Sequence, residues 1–99
     1  MLAFSPGQIA VALPTTIDTA ITCGDRSDYI RLVNESASVQ TVTYVTSGDS
    51  PVVMGSVRLQ PGEVMIFWKR RQFHKVYASS AEVFATGGMA RPVGLGPNN

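Results

Sequence analysis

The chain has 99 residues, of which 44% are hydrophobic and 15% are charged, and its formal net charge is +1. A chain of this length fits one domain with one core, and its many apolar and few charged residues exclude intrinsic disorder. The near-neutral charge gives no overall attraction to nucleic acid or to an anionic membrane. A single cysteine, Cys23, excludes an internal disulfide framework.

The first half of the chain predicts short strands separated by turns. Large residues alternate with small or polar ones over 9–13 and 15–22, which predicts two antiparallel strands, and again over 29–33. The run 39–46 is rich in Val and Thr, which suit a strand and are poor helix formers. We expect this run to pair with 29–33 as a hairpin. The polar segment 23–28 reads as a turn.

The second half contains the densest apolar region and predicts four more strands. They cover 52–59, 63–69, 74–79 and 82–86, and Gly55 inside the first of them indicates a bulge. Turn signals recur about every 8–12 residues, and no apolar period of helix length is present. The sequence therefore predicts an all-β fold, a single antiparallel β-sandwich or small barrel of seven to eight strands.

The two ends of the chain differ from this central part. We expect residues 1–7 to form an N-terminal arm, 8–88 the β-sandwich domain, and 89–99 a C-terminal arm rich in glycine and proline. Extended arms of this kind order where they lie on another subunit.

The strand 63–69 is apolar on both faces, because side chains alternate across a sheet. Val64, Ile66 and Trp68 share one face, and Met65 and Phe67 share the other. We assign the first face to the core and the second to an exposed patch that meets a partner. The alternative is that a loop or arm covers the second face. The predicted core residues are Val64, Ile66, Trp68, Val76 and Val83.

The connection 69–75, with the sequence KRRQFHK, places four basic side chains and two aromatic rings in seven residues. Such a cluster favours a charged protein–protein contact, since arginine pairs with carboxylates through two hydrogen bonds. A solvated hairpin loop and a nucleic-acid site are the alternatives, and the absence of a second basic stretch argues against nucleic acid. The predicted contact residues are Met65, Phe67, Lys69, Arg70, Arg71, Phe73, His74 and Lys75.

Catalytic and metal-binding patterns are missing from the sequence. Cys23 and His74 could form a nucleophile and base, but no flanking motif accompanies them. A structural zinc site needs four nitrogen or sulfur ligands, and a blue-copper site needs two histidines. We therefore predict no catalytic residue, no metal site and no cofactor.

The N-terminal residues do not predict membrane targeting. They lack the basic region of a signal peptide. They also lack its continuous apolar run, because Pro6 and Gly7 interrupt the apolar residues. No apolar run approaches the roughly 20 residues that span a bilayer. We expect neither secretion through a signal peptide nor membrane insertion.

Several short segments together resemble a known class of protein. They are RLVN at 31–34, VT at 42–43, LQPGE at 59–63, KVYASSA at 75–81 and VFAT at 83–86. This pattern of strands and turns, which covers 29–86, resembles the small β-sandwich virion structural proteins of tailed bacteriophages. Where such proteins carry a modest polar connection before the closing hairpin, this chain has the basic connection 69–75.

The resemblance implies a non-enzymatic part of the phage particle. It implies a capsid decoration or cement protein, made in the host cytoplasm and incorporated into the virion, that is homo-oligomeric there and contacts the major capsid protein or another virion protein. A head–tail connector, neck or tail component is the alternative within this class. A carbohydrate-binding sandwich using Tyr29, Tyr44 and Phe73, or a nucleic-acid-binding β-barrel, remains as a different class.

Overall fold

The computed structural model describes residues 2–6, 9–24, 27–70 and 73–92, and these form two antiparallel β-sheets. The all-β sandwich prediction is confirmed. Within the described ranges, no helix is long and apolar enough to cross a membrane. The strands are β1 Leu2–Pro6, β2 Val11–Ala12, β3 Tyr29–Asn34, β4 Gln40–Thr46, β5 Val53–Leu59, β6 Val64–Trp68, β7 His74–Ala78 and β8 Val83–Pro92, and a 3-10 turn covers Ile17–Thr19.

The strand order corresponds to that of a jelly roll. Sheet A has the order β1-β8-β3-β6, with β2 also paired to β8, and sheet B has the order β5-β4-β7. From β5 to β8 each strand lies in the sheet opposite to its predecessor, as in the double-sheet jelly roll. The strand that would complete sheet B beside β7 is reduced to a single bridge between Ile21 and Val76.

Two predictions about the first half of the chain are wrong. Residues 29–33 do not form a hairpin with 39–46, because β3 lies between β8 and β6 in sheet A whereas β4 belongs to sheet B. The predicted strand 15–22 contains a 3-10 turn, in which the hydroxyl of Thr19 donates to the carbonyl oxygen of Thr16 at 3.2 Å. Local hydrogen bonds of threonine side chains compete with strand pairing in this way.

The bulge predicted at Gly55 is confirmed. Tyr44 lies opposite Gly55, but the next residue, Val45, lies opposite Val53, so the register of β4 against β5 shifts there. The extra residue is Met54, and an extra residue in one strand bends it and increases its twist. β5 is also the edge strand of sheet B, and most of its residues are exposed.

The core lies between the two sheets. Its members are Leu13, Cys23, Ile30, Leu32, Val42, Leu59, Val76, Ala78, Val83 and Ala85. Val76 and Val83 are fully buried, as predicted. The rings of Tyr44 and Phe67 meet edge to face across this space, with their centroids 6.0 Å apart. Aromatic pairs favour this geometry.

The predicted inward face of β6 is wrong. Leu32 lies opposite Met65 and Ile30 lies opposite Phe67, so Met65 and Phe67 share the inner face with two buried residues. Val64 and Trp68 consequently point outward and are 45% and 56% exposed.

Ile66 points outward with them and is half-buried. Alternation identifies which side chains share a face, but it cannot show which face is inward when both are apolar.

The chain ends extend sheet A beyond the limits predicted for the domain. Residues 2–6 of the predicted N-terminal arm form β1, which pairs with β8 as far as Leu2 opposite Pro92. Residues 1 and 7 of that arm, and 93–99 of the predicted C-terminal arm, lie outside the described residues.

One fully buried polar side chain connects the turns at one end of the sandwich. The Nδ2 of Asn34 donates to the carbonyl oxygens of Ser38 at 2.8 Å and Leu59 at 2.9 Å. Its Oδ1 accepts from the backbone N–H of Ser36 at 2.9 Å and from the Ser36 hydroxyl at 2.7 Å. The backbone oxygen of Asn34 accepts from the N–H of Gly62 at 2.7 Å.

A second set of hydrogen bonds connects the turn that precedes β8 to the turns held by Asn34. The hydroxyl of Ser79 donates to Oε1 of Gln40 at 2.6 Å and accepts from the N–H of Thr41 at 2.9 Å. The Nε2 of Gln40 donates to the Ser36 hydroxyl at 3.1 Å, which joins this set to Asn34. The segments RLVN at 31–34, LQPGE at 59–63 and KVYASSA at 75–81 therefore meet here, and their hydrogen bonds hold the turns together.

Candidate interaction surface

The outward side of sheet A is built mainly from apolar side chains. Cross-strand pairing places Val33 between Val64 and Phe84, and it places Tyr29 beside Trp68. Residues paired across antiparallel strands share one side of the sheet. We call this surface the outer face, and its larger described side chains are Phe4, Tyr29, Arg31, Val33, Val64, Ile66, Trp68, Phe84 and Thr86.

The composition of the outer face differs from that of an ordinary wet sheet surface. An antiparallel sheet with one solvated side usually alternates apolar residues inward with polar residues outward. Here Val64 and Trp68 are exposed, and Val33, Ile66 and Phe84 are half-buried. A contiguous apolar surface of this kind marks an interaction site more often than it marks an inert surface.

A pocket with a basic group lies on the outer face. Arg31 is placed between Ile66 and Thr86 by the strand register. It lines a pocket of about 390 Å³ together with Phe4, Pro6, Ala10 and Thr86. Thr86 is only 7% exposed. Arg31 makes no ion pair with any carboxylate in the described part of the chain.

The prediction that Lys69 lies on the contact surface is wrong, because the residue is fully buried. Its Nζ donates to the carbonyl oxygens of Gly24 at 3.1 Å and Ser27 at 3.0 Å. Its backbone N–H donates to the carbonyl oxygen of Asp28 at 2.8 Å. A buried ammonium group requires such acceptors. These hydrogen bonds of Lys69 link the segment before β3 to the end of β6.

The exposed part of the basic connection forms a compact aromatic and basic cluster. The guanidinium of Arg70 lies 5.0 Å from the ring centroid of Phe73, within the range of a cation–π contact. The backbone N–H of Arg70 donates to Nδ1 of His74 at 3.1 Å. The ring of Trp68 meets that of His74 edge to face at 6.0 Å. Trp68, predicted as core, therefore belongs to the surface.

The protonation of His74 follows from this geometry. Partial burial lowers the pKa of His74, and the positive charges of Arg70 and Lys69 lower it further. Since Nδ1 accepts a hydrogen bond, the neutral ring carries its proton on Nε2. The surface cluster thus favours the neutral imidazole.

The other predicted contact residues have different placements. Met65 and Phe67 pack against the core and are half-buried, so they are not the exposed patch that was predicted. Lys75 is half-buried on β7 opposite Val45. Arg71 lies outside the described residues.

Cys23 lies in a tight and buried segment. Its backbone has a positive φ of 55°, and the segment lies so close to β8 that a Cβ at Gly87 would be 1.7 Å from the Cys23 carbonyl oxygen. Burial raises the pKa of the Cys23 thiol to about 11, and the charge of Lys69 offsets only part of this effect. The thiol is therefore protonated at neutral pH, whereas nucleophilic chemistry uses the thiolate.

Metal-binding groups are not brought together within the part of the chain that the structure describes. No three His, Cys, Asp or Glu side chains there lie close enough to hold one ion.

The sequence did not predict that Arg31 lines a pocket on the outer face. The alternation in 29–33 already places Tyr29, Arg31 and Val33 on one face, opposite the buried Ile30 and Leu32. Only the register shows that this arginine lies between Ile66 of β6 and Thr86 of β8.

No model of a known protein family matches the chain, and no curated protein is significantly similar to it.

Proposed function

We propose that the protein is a non-enzymatic structural protein of a tailed-phage virion, a capsid decoration or cement protein that binds the shell through the outer face. The observation that carries this proposal is the apolar character of the outer face, on which Trp68 and Val64 are both exposed. Burying apolar surface contributes roughly 25 cal/mol per Å², so a face of this kind is suited to a lasting contact.

The strand order agrees with this proposal without deciding it. Double-sheet jelly rolls occur in viral capsid proteins, and also in lectins and cupins. Because one fold serves many functions, the chemistry of the surface must carry the argument. In a symmetric shell, many copies of one modest contact act together, and weak contacts become stable through avidity.

The edge strand β5 supports contacts between copies of the chain. Val53 and Met54 are both more than half exposed on this strand. The outer edge of β5 is not paired with another described strand, so its backbone groups can pair with a neighbouring strand. Lateral association through this edge fits a protein that is homo-oligomeric in the particle.

A nucleic-acid-binding domain is the second candidate. The exposed rings of Trp68 and Phe73 beside Arg70 favour it, since bases stack on aromatic side chains. Arg31 is the only cationic side chain among the described residues of the outer face, however, and a groove for several phosphates needs more positive charge. Retention on DNA that weakens steeply with added salt would support this candidate.

The principal test is binding of purified protein to assembled capsid shells that lack it. We expect the double variant Val64→Ser with Trp68→Ser to lose binding, because it removes the exposed apolar groups of the outer face. Val39→Ser is the matched control, since Val39 is an exposed valine in the turn before β4. Equal binding by both variants, or absence of the protein from purified particles, would overturn the proposal.

A further inference from the structure

We infer that the pocket formed around Arg31 and Thr86 binds a carboxylate, and that the partner inserts an aspartate or glutamate flanked by apolar residues. The inference rests on the proposed function, because it names the chemistry of the partner at the same outer face. It adds a specific polar contact to a surface that is otherwise apolar.

The pocket has a suitable size and lining for such a side chain. Its volume of about 390 Å³ lies at the lower end of the range for binding pockets. Phe4, Pro6 and Ala10 provide apolar walls, and Arg31 and Thr86 provide the polar groups. A pocket lined by apolar groups with a few polar ones orients a ligand through those polar groups.

The guanidinium of Arg31 is available for an anion. It is half-buried and makes no ion pair within the described ranges, whereas the guanidinium of Arg70 already lies over the ring of Phe73. Guanidinium donors form a planar fork that matches the two oxygens of a carboxylate. The hydroxyl of Thr86 lines the same pocket and is a second hydrogen-bond donor for such a carboxylate.

The lining favours a carboxylate over a phosphate. Among the residues that the structure describes, Arg31 is the only cationic one that lines the pocket. Phosphate groups carry close to two negative charges and are usually bound by clusters of arginines. One guanidinium with apolar walls instead matches a single negative charge on a short aliphatic stem.

A protein segment is the favoured source of this carboxylate. The apolar surface continues beyond the pocket across Val33, Ile66 and Trp68, which is more than a small anion would cover. Apolar residues on either side of the acidic residue would lie against this surface. A second copy of the chain and a free small anion are the other occupants that the experiment must distinguish.

The test uses two blocked peptides, acetyl-Leu-Glu-Leu-amide and acetyl-Leu-Gln-Leu-amide, titrated into isotope-labelled protein and followed by NMR. We expect the Glu peptide to shift the resonances of Arg31 and Thr86 and to bind about tenfold more tightly than the Gln peptide, because hydrogen bonds to charged groups are the stronger ones. Arg31→Gln should remove this preference. Arg58→Gln, at an exposed arginine on β5, is the matched control and should retain it.

Several outcomes would overturn the inference. They are equal affinity for the two peptides, acetate or inorganic phosphate binding as tightly as the Glu peptide, loss of binding at concentrations where the protein self-associates, and no shift at Arg31. Arg31→Lys keeps the charge without the fork, so it should bind the Glu peptide with intermediate affinity. The NMR spectrum of Arg31→Gln itself, which should keep the dispersion of the unmodified protein, shows that its loss of preference is not unfolding.

The shell-binding assay separates this inference from the proposed function. Peptide discrimination without any binding to shells would overturn the virion role and leave the carboxylate pocket in place. Binding of Arg31→Gln to shells as tightly as the unmodified protein would overturn the pocket's part in that contact and leave the virion role in place.

Discussion

The side-chain amide of Asn34 donates a 2.9 Å hydrogen bond to the carbonyl oxygen of Leu59, and this bond links the two sheets directly. Asn34 ends β3 in sheet A, and Leu59 ends β5 in sheet B. Both residues are fully buried, so neither the amide nor the carbonyl group can turn to water instead. The end of the sandwich therefore depends on one side chain of a specific shape.

Replacing Asn34 by aspartate should lower the free energy of unfolding by about 2–4 kcal/mol. The change preserves the shape but removes both donors, so the carbonyl oxygens of Ser38 and Leu59 face a buried carboxylate. Urea unfolding followed by circular dichroism would measure the effect. Gln60→Glu makes the same chemical change at an exposed position and should stay within about 0.5 kcal/mol. Equal effects of the two changes would contradict the role of Asn34.

Replacing Gly87 by alanine should cost about 3 kcal/mol or more, or prevent folding. The new Cβ would lie 1.7 Å from the carbonyl oxygen of Cys23 and 2.9 Å from its carbonyl carbon, both of which are backbone atoms that cannot rotate away. Gly55→Ala is the matched control, because nothing lies within 4 Å of a Cβ there, and we expect a change below about 0.5 kcal/mol. Thermal unfolding of the two variants side by side would test this difference.

Two aromatic neighbours on β6 should respond very differently to truncation. Phe67→Ala removes a ring that packs against the core and contacts Tyr44, so it should cost about 2–4 kcal/mol. Trp68→Ala removes a ring that is 56% exposed, and its cost should stay below about 1 kcal/mol. A larger loss of stability for Trp68→Ala, measured by chemical unfolding, would show that the assignment of the two faces is incorrect.

The stability of the protein should fall as the pH drops below the usual histidine pKa of 6.5. The pKa of His74 is lower in the folded state, so the unfolded chain binds more protons in this range. Proton binding therefore stabilises the unfolded state relative to the folded state as the pH falls. The stabilising contribution is present above pH 6.5 and is lost as the pH falls toward the lower pKa of the folded state. Protonation of Nδ1 would also remove its hydrogen bond with the N–H of Arg70.

Urea unfolding between about pH 8 and pH 5 would measure this dependence. His74 is the only histidine, so His74→Gln should flatten the stability profile near pH 6.5. An unchanged slope in that variant would assign the effect to other groups.

Individual strands could be predicted from the sequence, but their partners could not. Alternation predicted 29–33, and the structure has β3 at Tyr29–Asn34. The hairpin expected between β3 and β4 failed because the alternation pattern records the two faces of a strand and not the sheet to which it belongs. The strand predicted over 15–22 is wrong for another reason. Local side-chain hydrogen bonds between Thr16 and Thr19 replace strand pairing there.

The candidate site was even less accessible to sequence reasoning. Lys69 stands in a run of basic residues, which predicts an exposed position. It is instead fully buried, and its ammonium group donates to carbonyl oxygens of Gly24 and Ser27, which are distant in sequence. The basic side chain that the outer face does contain is Arg31, whose surroundings come from β6 and β8. Such neighbours are set by topology, which the local pattern does not encode.

The position of Trp68 also supplies an optical reporter. It is the only tryptophan of the chain, and its side chain is more than half exposed on the outer face. Its fluorescence should therefore change little on unfolding but shift to the blue when a partner covers it. The protein thus has an intrinsic fluorophore at the surface where docking is proposed, and binding can be followed without any added label.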